Sequence, residues 1–358
     1  MSATESLPSW DVRPYEPGDE EQLVLLFSEV FGRTVSTEWW RWKLKGLPSP
    51  VENVWVAIDE AGAIVGQYAG IPRKIKLGSR EHMVMISVDT MTSGRFRRRG
   101  VLTKLATVSY ARWAAEGVAA VLGLPNEQWG SRTGALGWQS LFRLEWLRMP
   151  LRIERLAYKV RTAPAFARTA ASALTYPASL AWYDLRRRRL SGKGAHLAIG
   201  AVDPGYAAVD ALWLSASPLV HNALARDGAW LEWRYTRTID HQYRVLLARR
   251  EGIPAGYIAY RVDGRDYPVG YVADLFCTPG DRDVSSRLLL AALDDMWSRK
   301  ATTVRIAASP GSWLHSFACW AGFTPLHAGF NFDMVRLNPT LDVAELRDSA
   351  AWYLCAGD

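Results

Sequence analysis

Cysteine is scarce in this 358-residue chain: Cys277, Cys319 and Cys355 are the only three, and no two stand at metal-ligand spacing. A sparse, odd set excludes a disulfide framework and points to a reducing compartment. Long apolar runs are missing as well. The nearest, TAASALTYPASLAWYDL at Thr169–Leu185, is broken by Pro177 and two serines, so no transmembrane segment is expected. The opening MSATESLPSW has neither the basic nor the apolar stretch of a secretory leader, and the expectation is a cytoplasmic protein. The six histidines, His82, His196, His221, His241, His315 and His327, are scattered; none pairs at ligand spacing on one element, so no metal is expected. The patterns G-x-x-x-x-G-K-[ST], G-x-G-x-x-G, G-x-S-x-G and H-E-x-x-H do not occur. Their absence argues against P-loop, dinucleotide-binding, serine-elbow and zincin chemistry.

What is present is a hydrophobic fraction of 49%, a charged fraction of 22% and a net charge of +7. These values describe a folded globular protein with a leaning toward anionic ligands. The length suits two domains. Seventeen tryptophans supply aromatic walls for a ligand or large core residues.

The chain reads as two copies of one element order. GDEEQLVLLFSEVFG places Leu23, Leu26, Phe27 and Val30 on one helical face, with Asp19 expected as N-cap, Gln22 completing a capping box and Gly32 as the stop. TEWWRWKL is a second short helix. VWVAIDEAGAIVGQYAGI is strand, turn, strand; EHMVMISVDTMT is a further strand; a helix runs from about Val101 to Glu116, followed by the strand VAAVLGLP and a helix in NEQWGSRTGALGW. In the second half, LEWRY echoes WWRWK, YRVLLARREGIPAGYIAYRV repeats strand, turn, strand, and GYVADLFC matches MISVDTMT. Trp55 to Gly66 and Val245 to Gly256 span equal lengths, as do Asp89 to Gly137 and Asp274 to Gly322. Equal spacing in the same order indicates an internal duplication. The expected domains are residues 1–150, a basic helical linker at 151–200, a second copy at 201–340 and a tail at 341–358. The arginine block RRRR in the linker is a solvated face, or a weak peripheral contact with anionic lipid.

The most informative stretch is TMTSGRFRRRGVLTKL, a strand leading through a basic turn into a helix. The first N–H groups of a helix lack intrahelical partners and face the positive end of its dipole, which makes a pocket for an anion. Arg97, Arg98 and Arg99 add charge beside it, and Gly100 removes a Cβ from the approach. A pyrophosphate needs this combination of N–H donors and little bulk.

Strand, R-x-x-G, helix, strand, helix resembles the GNAT superfamily of acyl-CoA N-acyltransferases. The signature R/Q-x-x-G-x-G/A runs here as Arg97-Arg98-Arg99-Gly100-Val101-Leu102, with leucine at the last position. The resemblance covers about Arg13 to Trp138 well and Trp230 to Val335 more weakly. It implies a mixed α/β (α+β) fold: two tandem GNAT-like domains, each a twisted mixed sheet flanked by helices. A tandem pair is similar to the enhanced-intracellular-survival type and to acetyltransferases of polysaccharide biosynthesis. The resemblance implies that backbone groups of Thr90, Met91 and Thr92 bond a pantetheine arm where the neighbouring strand splays away. Arg98, Arg99, Gly100, Val101, Leu102 and Thr103 then hold the pyrophosphate. Asn126 contacts the cofactor or caps a helix. The second copy lacks the loop: Ser285 stands where Gly100 would, and its two aspartates repel a pyrophosphate. One acyl-CoA site is expected, in the first half.

Catalytic residues are harder to read. The family's usual glutamate falls at Ile86, its alternative at Val121 and its tyrosine at Thr133. Asp89 is the nearest carboxylate, although strand parity turns it away from the face of Ile86 and Val88 unless a bulge intervenes. Asp358 is another candidate, docked by apolar Trp352, Tyr353 and Leu354. On the acceptor side, Glu38, Trp40, Trp42 and Trp129 line a pocket or pack the core. The expected activity is acyl transfer from acetyl-CoA or another acyl-CoA to a primary amine of a small molecule, such as an amino sugar or aminoglycoside-like compound. The expectation includes no metal, no nucleic acid and a monomer or homodimer. The alternatives are a tRNA-dependent aminoacyl transferase of the cell-wall type and a non-catalytic CoA- or RNA-binding protein.

Overall fold

The computed structural model describes residues 9–125, 134–155, 164–192, 196–203, 206–265 and 267–358. The chain packs as two compact units. One comprises Met1–Ile75, Glu81–Phe142 and Asn331–Arg347; the other comprises Lys76–Arg80, Arg143–Phe330 and Asp348–Asp358.

In the first unit, β1 (Trp10–Pro14), α1 (Glu20–Phe31), α2 (Thr37–Lys45), β2 (Val54–Asp59), β3 (Ile64–Leu77) and β4 (Arg80–Thr92) precede α3 (Val101–Ala115) and β5 (Val118–Gly123); β6 (Trp138–Pro150) begins in this unit and belongs to the second from Arg143 on. β1, β2 and β3 pair antiparallel. β4 and β5 pair parallel from Met83↔Val118 to Ile86↔Leu122, with α3 as the crossover. Beyond β5 lies an antiparallel strand from the far end of the chain, pairing Asp333 with Gly123 and Arg336 with Ala120. The core beneath the sheet gathers Tyr68, Met85, Leu105, Trp113 and Val121. α3 lies so close to β3 that a Cβ on Gly66 would stand 2.8 Å from Val101 Cγ1. Only glycine leaves that space.

α1 starts and stops where the sequence places it, and Gly32 closes it in the left-handed region at φ 65°. The capping box does not form. The Asp19 carboxylate accepts two hydrogen bonds from the Arg13 guanidinium at 2.7 and 2.8 Å, and Gln22 Oε1 accepts from the Ile64 N–H at 2.9 Å. A bidentate, charge-assisted pair outcompetes single N–H bonds at the helix end.

The second unit holds α4 (Ala165–Ser191), β7 (Leu197–Ala201), α5 (Ala207–Ala216), β8 (Asn222–Leu224), α6 (Gly228–Leu231), β9 (Arg244–Arg250), β10 (Ile253–Asp263) and β11 (Val269–Cys277). After these come α7 (Arg282–Ser298), β12 (Thr303–Ala308), α8 (Trp313–Ala321), β13 (Thr324–Arg336), which belongs to the first unit from Asn331 on, and β14 (Trp352–Tyr353). β7, β9, β10 and β11 pair antiparallel, and β11 pairs parallel with β12. The order β2-β3-β4-α3-β5 thus recurs as β9-β10-β11-α7-β12, and Gly256 lies against Val284 as Gly66 lies against Val101. Each sheet takes its next antiparallel strand from the other half of the chain. Residues 145–150 of β6 pair with β12, while residues 333–336 of β13 pair with β5. Each unit is a mixed sheet flanked by helices. Among the described residues no helix is long and apolar enough to cross a membrane.

Candidate active site

The ladder between β4 and β5 ends at Ile86↔Leu122, yet β4 runs on to Thr92. The two strands part there. A cavity of about 190 Å³ opens, lined by Ser87, Val88, Asp89 and Thr90 from β4, by Gly123, Leu124 and Pro125 after β5, and by Phe31 and Trp138. Backbone groups freed from a ladder must bond something else, and a cleft between diverging strands admits an extended ligand.

Asp89 sits at this opening with φ 46°, in the left-handed region that aspartate tolerates better than most residues. Asp89 is one of four consecutive β4 residues that line the cavity, and its carboxylate pairs with Lys43 of α2. Its surroundings come from α2 and β3. Lys43 Nζ lies 2.6 Å from Asp89 Oδ2 and 4.8 Å from the Trp39 ring centroid. Gln67 Nε2 donates to the Asp89 carbonyl at 2.9 Å, and Trp40 Nε1 donates to Gln67 Oε1 at 3.0 Å. Trp40 is 1% exposed. It is a core residue that positions Gln67 and presents no surface to an acceptor. In the core the Tyr68 and Tyr110 hydroxyls bond at 2.7 Å. Burial pushes Tyr110 up to about 12, so both phenols carry their protons at neutral pH.

The arginine turn follows. Ser93 Oγ and the Gly94 N–H both donate to Glu29 Oε1, at 3.0 and 2.7 Å, which anchors the loop to α1. Arg98 has φ 62° and Gly100 φ 76°; the second is a conformation for glycine. α3 begins at Val101. Among the described residues no side-chain cap closes this helix start, and the space beside Gly100 is open: a Cβ there would meet nothing within 4 Å. Arg97 and Arg98 are exposed, and Arg99 lies 5.5 Å from the Phe96 ring centroid. Among the described residues, Arg99 Nη1 is buried without a hydrogen-bond partner. Uncapped amides, an orphaned guanidinium nitrogen and an open glycine suit a diphosphate.

The remaining candidates disperse. Thr90 lines the cavity, Met91 is buried and Thr92 half-buried; Val101 is buried, Leu102 packs against the core and Thr103 is exposed. Glu38 is exposed on the first turn of α2, and Trp42 is half-buried. Asn126, Trp129 and Thr133 lie outside the described residues. Asp358 belongs to the second unit, where its Oδ2 accepts from Arg226 Nη2 at 2.8 Å and from the Cys355 N–H at 2.9 Å. Lys43, Gln67, Ser87 and Trp138 were not singled out in the sequence. Lys43 stands in the quoted WWRWK, but nothing local ties it to Asp89. In the second half, α7 is capped by Asp281, whose Oδ1 accepts from the Val284 N–H at 3.1 Å and which pairs with Arg250.

Residues 11–140 match the family model of the acetyltransferase (GNAT) domain. Among solved structures, the GCN5-related N-acetyltransferase of Anabaena variabilis ATCC 29413 is 14% identical, with a TM-score of 0.66; the match covers 92% of this chain and 73% of that one. The GCN5-related N-acetyltransferase of Kribbella flavida is 12% identical, with a TM-score of 0.62, covering 93% and 72%. Identities this low establish the fold. A comparison with curated proteins finds no match.

Proposed function

We propose, from the match of residues 11–140 to the GNAT acetyltransferase domain, that the chain transfers an acyl group from acetyl-CoA or another acyl-CoA to a primary amine of a small molecule. An amino sugar or aminoglycoside-like compound is the acceptor class we favour. The observation that carries the reading is one continuous run of β4 into α3. It places Asp89 at a parted strand pair and, a few residues on, an uncapped helix start beside three arginines.

In this reading the amides and guanidinium groups of 98–103 hold the pyrophosphate, and Thr90–Thr92 offer backbone groups to the pantetheine arm. The thioester supplies an activated acyl carbon and a thiol leaving group. An amine attacks only when neutral. Asp89 draws the acceptor ammonium and takes up its proton, directly or through an ordered water. Lys43 and the Gln67 contact fix the carboxylate and its backbone in place, which lowers the entropic cost of alignment. The second copy carries no cofactor in this reading, because Asp281 occupies the helix start that a diphosphate would need.

The test is thermal. Acetyl-CoA should raise the melting temperature of the parent chain, since a ligand of the native state stabilises it by mass action. In a chain carrying Arg98→Glu and Arg99→Glu the shift should vanish while circular dichroism stays native. An undiminished shift would show that the carrier sits elsewhere. Thiol release over a panel of amino sugars then identifies the acceptor.

A further inference from the structure

The repeat that aligns Asp89 with Asp274 also aligns Val88–Thr90 with Ala273–Leu275 and Leu124-Pro125 with Ser309-Pro310. The second unit therefore has a counterpart of the cavity described above. Its strands part in the same way: β11 and β12 pair from Val269↔Thr303 to Val272↔Ile306, and β11 continues to Cys277. This cleft is filled by residues 349–358 of the chain itself. The Gly357 N–H donates to the Ala273 carbonyl at 2.8 Å, and the Tyr353 hydroxyl donates to the Leu275 carbonyl. On the other wall, Ser309 Oγ donates to the Trp352 carbonyl at 3.0 Å and Ser349 Oγ to that of Pro310 at 2.8 Å. At the base, Arg226 is fully buried and bridges Asp274 and Asp358, at 3.2 and 2.8 Å. Trp352, Tyr353, Leu354 and Cys355 are each no more than 3% exposed.

We propose that the cleft of the second copy is a peptide-binding site, specific for an extended segment whose acidic side chain reaches Arg226, and that residues 349–358 occupy it in cis. The segment reaches two carbonyl groups of β11 beyond the ladder, Ala273 through the Gly357 amide and Leu275 through the Tyr353 hydroxyl, as the proposed reading has pantetheine reach β4 in the first copy. The comparison of the two clefts rests on that reading; the peptide contacts do not. Arg226 supplies the selectivity: once β11 and Asp274 are in place, a buried guanidinium accepts a second carboxylate far better than a neutral group.

A full-length chain with Gly357→Leu tests this. A Cβ at Gly357 would fall 1.9 Å from Tyr235 Oη and 3.0 Å from the Ala273 carbonyl oxygen, so the segment must leave. A labelled synthetic peptide of residues 349–358 should then bind the variant about tenfold or more tightly than the parent, whose cleft is competed in cis. The same peptide with Asp358→Arg should not bind. Acetyl-CoA should bind the variant with the same stoichiometry as the parent. Failure of the peptide to bind, or a second equivalent of acetyl-CoA on the variant, would overturn the proposal. If the variant does not fold, hydrogen exchange in the parent decides: a Gly357 amide protected as well as the β11 amides supports occupancy, and one exchanging at unstructured rates refutes it. Peptide binding is scored apart from the acetyl-CoA melting shift of the first half, so either reading can fail alone.

Discussion

At the scale of single residues, the proposed site turns on Asp89. Its backbone stands in the left-handed region at φ 46° within a strand, and its carboxylate pairs with Lys43. Backbone conformations of this kind persist where surrounding contacts hold them, and here Gln67 grips the Asp89 carbonyl from within the core. Asp89→Asn keeps the shape and removes the proton acceptor. It should lower kcat by about a hundred- to ten-thousandfold, while the acetyl-CoA melting shift stays within error of the parent. A loss of cofactor binding with kcat intact would assign Asp89 to the carrier instead. The arginine turn was readable because its signal is local: charge, glycine and an apolar helix lie in consecutive residues. The Lys43–Asp89 pair was not, because its partners come from different elements and only the folded sheet brings them together. Trp40 was left open between two roles for a related reason. Composition places tryptophan equally at a pocket wall and in a core, and its bond to Gln67 decides for the core.

At the scale of elements, the limits of α1 and α3 followed from periodicity and turn residues, whereas the chemistry of the helix ends did not. α1 illustrates the difference. Its start is held by Glu20, which is 3% exposed and accepts from Arg41 Nε at 2.7 Å, from the Tyr15 hydroxyl at 2.8 Å and from the Gly18 N–H at 2.8 Å. Burial alone would raise the pKa of this carboxyl, but the hydrogen bonds outweigh it and bring it to about 2, below the ordinary 4.5. A depressed folded-state pKa contributes stability that is present above the unfolded value and lost as the pH falls toward the folded one. The parent should therefore lose stability more steeply between pH 4.5 and 2 than a Glu20→Gln variant, as read from urea midpoints across that range. Parallel curves would mean that Glu20 is not held as described.

At the scale of the molecule, the exchange of strands between the halves was invisible in the sequence. An alternating strand pattern tells which face is buried and is silent about which sheet receives it. Residues 333–336 cover the edge of β5 at Ala120–Gly123. A fragment ending at Pro150 would leave that edge bare, and bare hydrophobic edges associate with one another. Such a fragment should elute as aggregate in size-exclusion chromatography. Supplying residues 323–347 as a separate peptide should recover soluble material. A monomeric fragment without the peptide would show that the borrowed strand is dispensable. The borrowing also sets an order of events during synthesis. Translation proceeds at about 5–20 residues per second, so the ribosome completes β5 at least about ten seconds before it reaches Arg336. Throughout that interval the nascent first half waits with its sheet unfinished, and the cell must shelter it from its neighbours on the same polysome.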